Sequence, residues 1–157
     1  MTLPTAQDID PEDSLDGGIA CQHFLGKSLG GAQALFRENP LYYVEDLIWM
    51  GPVGFRFYVL ALISHLQSEA AVGDAELIDR WVGLLEFRLE QEAAELMPVA
   101  FQLAGACGYV AEHRERFGLE PEMYGDLPPR CQELQQIFWR LAILDSGAGA
   151  PGIRPEI

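Results

Sequence analysis

Gly26-Lys27-Ser28-Leu29-Gly30 is the densest run of chemistry-bearing residues in this chain, and it fits two functional patterns at once. As Gly-x-Ser-x-Gly it would be a nucleophile elbow, with Ser28 raised on a strand-to-helix turn. Asp46 and then His65 or His113 follow in the order such hydrolases use. That elbow requires a central parallel sheet, and no segment of this chain alternates as a strand. As Gly-Lys-Ser the run would end a phosphate-binding loop, yet Cys21 stands where that loop needs its first glycine. The reading that suits the context is a glycine-rich turn opening a helix, with Ser28 as N-cap. No catalytic residue is assigned.

Metal ligation has equally little support. Cys21-x-His23 offers two ligands, but Cys107, Cys131, His65 and His113 are isolated from any second pair of fixed spacing. Neither a His-Glu-x-x-His nor a Glu-x-x-His pair occurs, so no metal or other cofactor is expected. His113, within Glu112-His113-Arg114-Glu115-Arg116, reads as a solvated last turn of a helix.

Charge placement gives a stronger candidate. On a helix running from Asp74 to about Leu96, Glu92 falls inside the apolar stripe and Arg88 flanks it one turn earlier. A carboxylate there must find a partner or shift its pKa upward. Arg88 is the first candidate partner and Arg56 the second, with a helix-end salt bridge favoured over a functional site. Phe87 points to the wet face of the same helix and suggests a contact with another chain.

These residues are carried by an all-α pattern. A short helix is expected over Leu29–Arg37 and a second over Tyr42–Met50, stopped by Gly51-Pro52. Pro52 then opens a third helix, Val53 to Gln67, because its missing N–H would be unpaired at that position anyway. Phe55, Phe57, Tyr58, Val59, Leu60, Leu62, Ile63 and Leu66 leave this helix apolar on nearly every face. It is too short to span a membrane and is expected to be the core. Asp74 caps the fourth helix, whose stripe is Ile78, Trp81, Leu85, Leu89, Ala93 and Leu96. Pro98 breaks it, and a thin fifth helix rich in alanine and glycine follows to Phe117, with Gly118 as its stop. A sixth runs from about Pro129 to Leu144. The architecture expected is one bundle of about six helices around residues 53–67, spanning 18–145. Residues 1–17 are read as a disordered acidic segment and 146–157 as a flexible tail.

Composition fits one domain: 157 residues with 49% hydrophobic positions can bury a full core without disulfides. Three scattered cysteines and no signal-peptide pattern predict a cytoplasmic protein. The net charge is −14. Five of the 24 acids lie ahead of residue 18, where there is no base, so the other 19 acids and 10 bases still give −9. Such a surface disfavours nucleic acid and anionic lipid, and attracts basic partners.

The segment His23–Leu66 resembles a group of small, uncharacterised bacterial proteins. They share His-Phe-x-Gly-Lys and a later Leu-x-x-Met-x-x-x-x-Phe-x-x-Tyr-Leu-Pro-Ala. The counterparts are His23, Phe24, Gly26 and Lys27, then Leu47, Met50, Phe55, Tyr58, Val59, Leu60 and Ala61, with Leu60 in place of the proline. The resemblance covers about a quarter of the chain. It implies a helical fold, a bacterial cytoplasmic origin and a role for the His23–Lys27 turn, but no activity.

Two functions of different classes follow. The first is an interaction module binding a basic protein, in the manner of immunity proteins and inhibitors of cationic enzymes. The second is a small-molecule or metal-dependent enzyme with a site around His23, Lys27, Ser28 and Asp46, near the Trp49–Pro52 bend. Homodimerisation through a helix face is compatible with either. The binding candidates are His23, Lys27, Ser28, Asp46, Trp49, Arg56, Phe87, Arg88 and Glu92.

Overall fold

Helix starts in this chain follow local chemistry closely. Ser28 Oγ accepts the Gly31 N–H at 3.1 Å and opens α3, Leu29–Glu38. Asn39 caps Tyr42 N–H at the head of α4, Pro40–Trp49, whose first residue is a proline with no N–H to satisfy. Pro52 does the same for α5, Pro52–Leu66. Asp74 Oδ1 accepts the Leu77 N–H at 3.2 Å and starts α6, Ala75–Glu92. Each cap contributes about 1 kcal/mol. The computed structural model describes residues 2–147, and all regular structure among them is helical.

The apolar helix is the centre, as its composition requires. On α5, Phe55, Tyr58, Val59, Ala61, Leu62 and Leu66 are buried. It is packed by α1 (Ala6–Ile9), α3, α4, a 3₁₀ segment over Ala93–Val99, and α7 (Ala100–Glu112). Around it, α2 (Leu15–Phe24) lies on α4, and α6 reaches both α4 and α9 (Leu127–Ser146). Alongside these, α7 and α9 form the most extensively packed pair. Gly108 leaves room there for the Gln135 side chain, whose amide end would lie 2.3 Å from a Cβ and would have to move aside. Cys107 and Cys131 are buried free thiols on these two helices, and burial pushes Cys131 up to about 12. They act as small hydrophobes. Between α7 and α9 lies the short α8, Pro121–Tyr124. No helix among the described residues is long and apolar enough to cross a membrane.

Several expected boundaries move, each for a physical reason. Residues 2–17 are not a disordered segment. Thr5 and Asp8 form a reciprocal capping box on α1, Ile9 is fully buried, and its carbonyl accepts the Gly51 N–H at 2.8 Å. Buried Pro4 and Ile9, the Gly51–Ile9 backbone bond and the Cys21 thiol on the Ala6 carbonyl hold a stretch whose charge alone suggested otherwise. The first turn of α2, from Leu15, also lies in this segment, and the sequence pattern missed that helix. Pro98 would clash with the carbonyl of residue 94 in an α-helix, so α6 ends at Glu92 and residues 93–99 take the tighter 3₁₀ form. Similarly, α7 stops at Glu112 rather than at Phe117. The turn beyond is pulled inward, where Phe117 is fully buried and Arg116 Nη2 donates to the Ser68 carbonyl at 3.0 Å. Gly118 still closes that turn at φ 69°. The helix expected over 129–144 begins earlier, at Leu127, with prolines in its first turn, and runs through Ser146 to a left-handed Gly147. The remainder of the expected tail, 148–157, lies outside the described residues.

Candidate functional site

The His23–Lys27 turn is fixed from below by the central helix. Tyr58 Oη reaches both the Phe24 carbonyl at 2.8 Å and the Lys27 carbonyl at 2.9 Å. Phe24 packs between the rings of Tyr58 and Phe36. Gly26 supplies the φ of 82° that the turn needs. Tyr58, Phe24 and Gly26 therefore set the end of α2, and with it the position of His23.

On that end, His23 Nδ1 lies 2.6 Å from Asp46 Oδ2 of α4. Asp46 is 5% exposed, and its pKa is raised by burial, which the hydrogen bond from His23 only partly opposes. With the carboxylate ionised, Nδ1 carries a proton toward it, while Nε2 accepts in a neutral imidazole and donates in a protonated one. The imidazole is flanked by the Tyr42 and Tyr43 rings, with centroids 5.4 and 5.1 Å away. A cleft of about 310 Å³ opens here, lined by Asp16, Ile19 and His23 of α2 and by Leu41, Tyr42, Glu45, Asp46 and Trp49 of α4.

Trp49 is also the wall of a second cleft, of about 240 Å³. Its other sides are Asp10, Pro11, Glu12 and Ser14, the Met50–Pro52 bend with Ile48, and Phe87, Arg88, Gln91 and Glu92 of α6. Here the charge anomaly is inverted relative to the sequence expectation: Arg88 is buried, at 4% exposure, while Glu92 is partly exposed. Arg88 Nη1 donates to the carbonyls of Leu47 (3.2 Å), Ile48 (3.3 Å) and Met50 (2.7 Å), and Nη2 pairs with Glu92. The guanidinium also lies over the Phe55 ring, 4.3 Å from its centroid. It thus satisfies the orphan carbonyls that end α4 and complements the negative end of that helix dipole. The stripe geometry misplaced the two charges because α4 ends against Arg88, which no helical wheel of α6 can show.

No protein-family model, no curated protein and no solved structure matches this chain. The site has to be read from its own geometry.

Of the nine candidate residues, the fold gathers His23, Asp46, Trp49, Phe87, Arg88 and Glu92 into the two adjoining clefts. The other three have structural tasks elsewhere. Ser28 Oγ is held by the Gly31 N–H, and the Lys27 chain lies along Gly31, so neither lines a cleft with His23. Arg56 is a partner of Glu95 rather than Glu92, donating to its carbonyl and carboxylate at 2.9 Å each and bracing the 3₁₀ segment. Cys21 faces away from His23, since its thiol contacts the Ala6 carbonyl. Among the described residues no group of three His, Cys, Asp or Glu side chains could hold a metal. The sequence reading missed Asp10, Asp16, Tyr42 and Glu45. Nothing in their local pattern distinguishes them from solvated surface residues.

Chemically, the paired clefts are rich in acceptors and open aromatic rings. Asp10, Glu12, Asp16, Glu45, Asp46 and Glu92 line them, together with the half-exposed rings of Tyr42, Trp49 and Phe87. The one guanidinium present, Arg88, is occupied by three carbonyls and Glu92.

Proposed function

We propose that this chain is an acidic helical interaction module that binds a basic protein partner, in the manner of an immunity protein or an inhibitor of a cationic enzyme. The observation that carries this reading is the pair of clefts around Trp49, where six carboxylates meet three exposed rings. Among the described lining residues the one guanidinium, Arg88, is internally neutralised; Arg80, beside the cleft, pairs with Glu45. Exposed aromatics are the usual anchors of an interface, and opposite charge steers the encounter. The rest of the surface reinforces this through the net charge of −14. The proposal extends to a cytoplasmic location, because the fold uses its cysteines as free thiols.

The test is capture from the native host at two salt concentrations, with the wild type and a Trp49→Ala/Phe87→Ala double variant. The expected result is a cationic protein retained by the wild type at low salt, lost at high salt, and lost by the double variant. Retention of the same proteins by both forms, or no cationic protein at all, overturns the reading.

A second reading rests on one feature, the His23–Asp46 pair, which has the orientation of a general base held by a carboxylate. It would make the first cleft the site of a small-molecule enzyme. Lys27 and Ser28 do not join that cleft, so a nucleophile would have to come from the substrate or from water. Homodimerisation is compatible with either reading; the exposed residues Phe101 of α7 and Trp139 and Ile143 of α9 are the face suited to it.

A further inference from the structure

We propose that the outer face of α7 and α9 pairs with the same face of a second copy of this chain about a two-fold axis. The Phe101 ring of each copy then seats over Gly105 of the other. This contact is independent of the acidic clefts, which are lined by α2, α4 and α6.

The two helices run antiparallel. Phe101 meets Trp139 edge-on with centroids 5.4 Å apart, and further along α7 Gly108 lies against Gln135. Their outward surface carries a ridge between two hollows. Phe101, 62% exposed, is a wall of both. One hollow, of about 360 Å³, is closed on its far side by Trp139, Ala142 and Ile143. The other, of about 450 Å³, runs down α7 past Gly105 to Tyr109. A Cβ on Gly105 would meet nothing within 4 Å, so the floor of this hollow is open backbone. An isologous contact needs the knob and its hole on one patch, because the same surface serves both partners. Phe101 and Gly105 lie about one turn apart on the same side of α7. Antiparallel crossing of two copies of α7 therefore brings each ring onto the other copy's glycine.

Charge selects a second copy over the basic partner as the occupant. Among the described residues that line the two hollows, the charged ones are Glu112 and Asp145, near the ends of their helices. Two chains of net charge −14 repel, and a face with so few carboxylates lets them approach. A cationic protein is drawn instead to the carboxylate-lined clefts. Gln102 and Gln135 border the second hollow, and an amide suits a surface that faces itself because it both donates and accepts. The size is also adequate. Phe101, Trp139 and Ile143 leave roughly 300 Å² of largely apolar surface in water. That is about a third of the roughly 800 Å² per copy that a specific contact buries, and the flanks of both hollows extend it.

The experiment is sedimentation velocity on the full chain from micromolar to submillimolar protein, at moderate and high salt. The wild type is expected to dimerise, and more tightly at high salt, because screening relieves the repulsion between two acidic chains. Phe101→Glu should weaken the dimer about a hundredfold or more, since it removes the knob and puts a charge in the hollow. Gly105→Leu should weaken it as strongly by filling the hole. At dilutions where both are monomeric, the leucine variant should keep or raise the urea midpoint, because leucine is the better helix former at an exposed position. Trp49→Ala, in the acidic clefts, should dimerise like the wild type. A wild type that stays monomeric throughout overturns the second copy as occupant and leaves the face to another partner. A dimer indifferent to Phe101→Glu overturns the choice of face. One that tolerates Gly105→Leu overturns the seating of the ring. If Phe101→Glu fails to fold by circular dichroism, Gly105→Leu alone decides. The basic-partner reading is judged separately by salt-sensitive capture, where salt acts in the opposite direction.

Discussion

His65 lies at the last turn of α5, 1% exposed, and neither of its ring nitrogens has a hydrogen-bond partner. Burial lowers its pKa; Asp74 opposes that shift and Arg37 adds to it. The sign of the consequence is fixed. An unfolded histidine takes a proton near pH 6.5, whereas the folded chain holds His65 neutral to lower pH. Its contribution to stability is therefore complete above about pH 6.5 and is lost as pH falls through the depressed folded value. Urea midpoints measured between about pH 7.5 and pH 5.5 should drop for the wild type, and drop less for His65→Leu. At neutral pH the leucine variant should be at least as stable, since an apolar group replaces an unsatisfied polar one. An identical slope in both proteins would show that another group titrates. This residue was visible in the sequence only as an isolated histidine among apolar neighbours. Its lack of partners depends on what packs around it.

At the scale of elements, the junction between α4 and α5 depends on residues from two other parts of the chain. Arg88, about 40 positions away, caps the end of α4 through three carbonyls. Arg88→Met should cost about 3 kcal/mol in a urea unfolding measurement, because it strands those carbonyls and the Glu92 carboxylate together. Arg88→Lys should recover less than half of the loss, since an ammonium cannot spread over both partners. On the other side, Gly51 admits the N-terminal segment. A Cβ there would lie 2.6 Å from Pro11 Cδ and 2.8 Å from the Asp8 carbonyl oxygen. Gly51→Ala should destabilise by about 2 kcal/mol and speed proteolysis ahead of Leu15, with α5 itself intact by circular dichroism. Unchanged proteolysis would mean that the segment is held by other contacts. The sequence placed the Gly51-Pro52 break correctly. It gave no reason for glycine there beyond the turn, because the chain that needs the space comes from forty residues upstream.

For the whole molecule, charge is the dominant feature. With 24 acids and 10 bases, carboxylates far outnumber the cations that could pair with them, and self-repulsion opposes the compact state. Moderate salt should therefore stabilise the protein by about 1 kcal/mol, seen as a rise of a few degrees in Tm from low to moderate ionic strength. A fall in Tm would show that the exposed ion pairs, such as Arg130 with Glu86 and Asp126, contribute more than the repulsion. The same excess charge makes any complex with a basic partner salt-sensitive, so stability and binding should respond to ionic strength in opposite directions.

The all-α class, the central apolar helix and the caps at Ser28, Pro52 and Asp74 were legible in the sequence because each signal is complete within a turn or two of chain. Helical periodicity, a missing proline N–H and a side-chain oxygen three residues from its donor need no information from elsewhere. The burial of Ile9, the shortening of α7, the depth of Arg88 and the meeting of His23 with Asp46 were decided by tertiary structure. Each depends on which surfaces meet across separations of about 20 to 50 residues. There the free energy comes from excluding water and satisfying carbonyls on another element, and no local pattern records it.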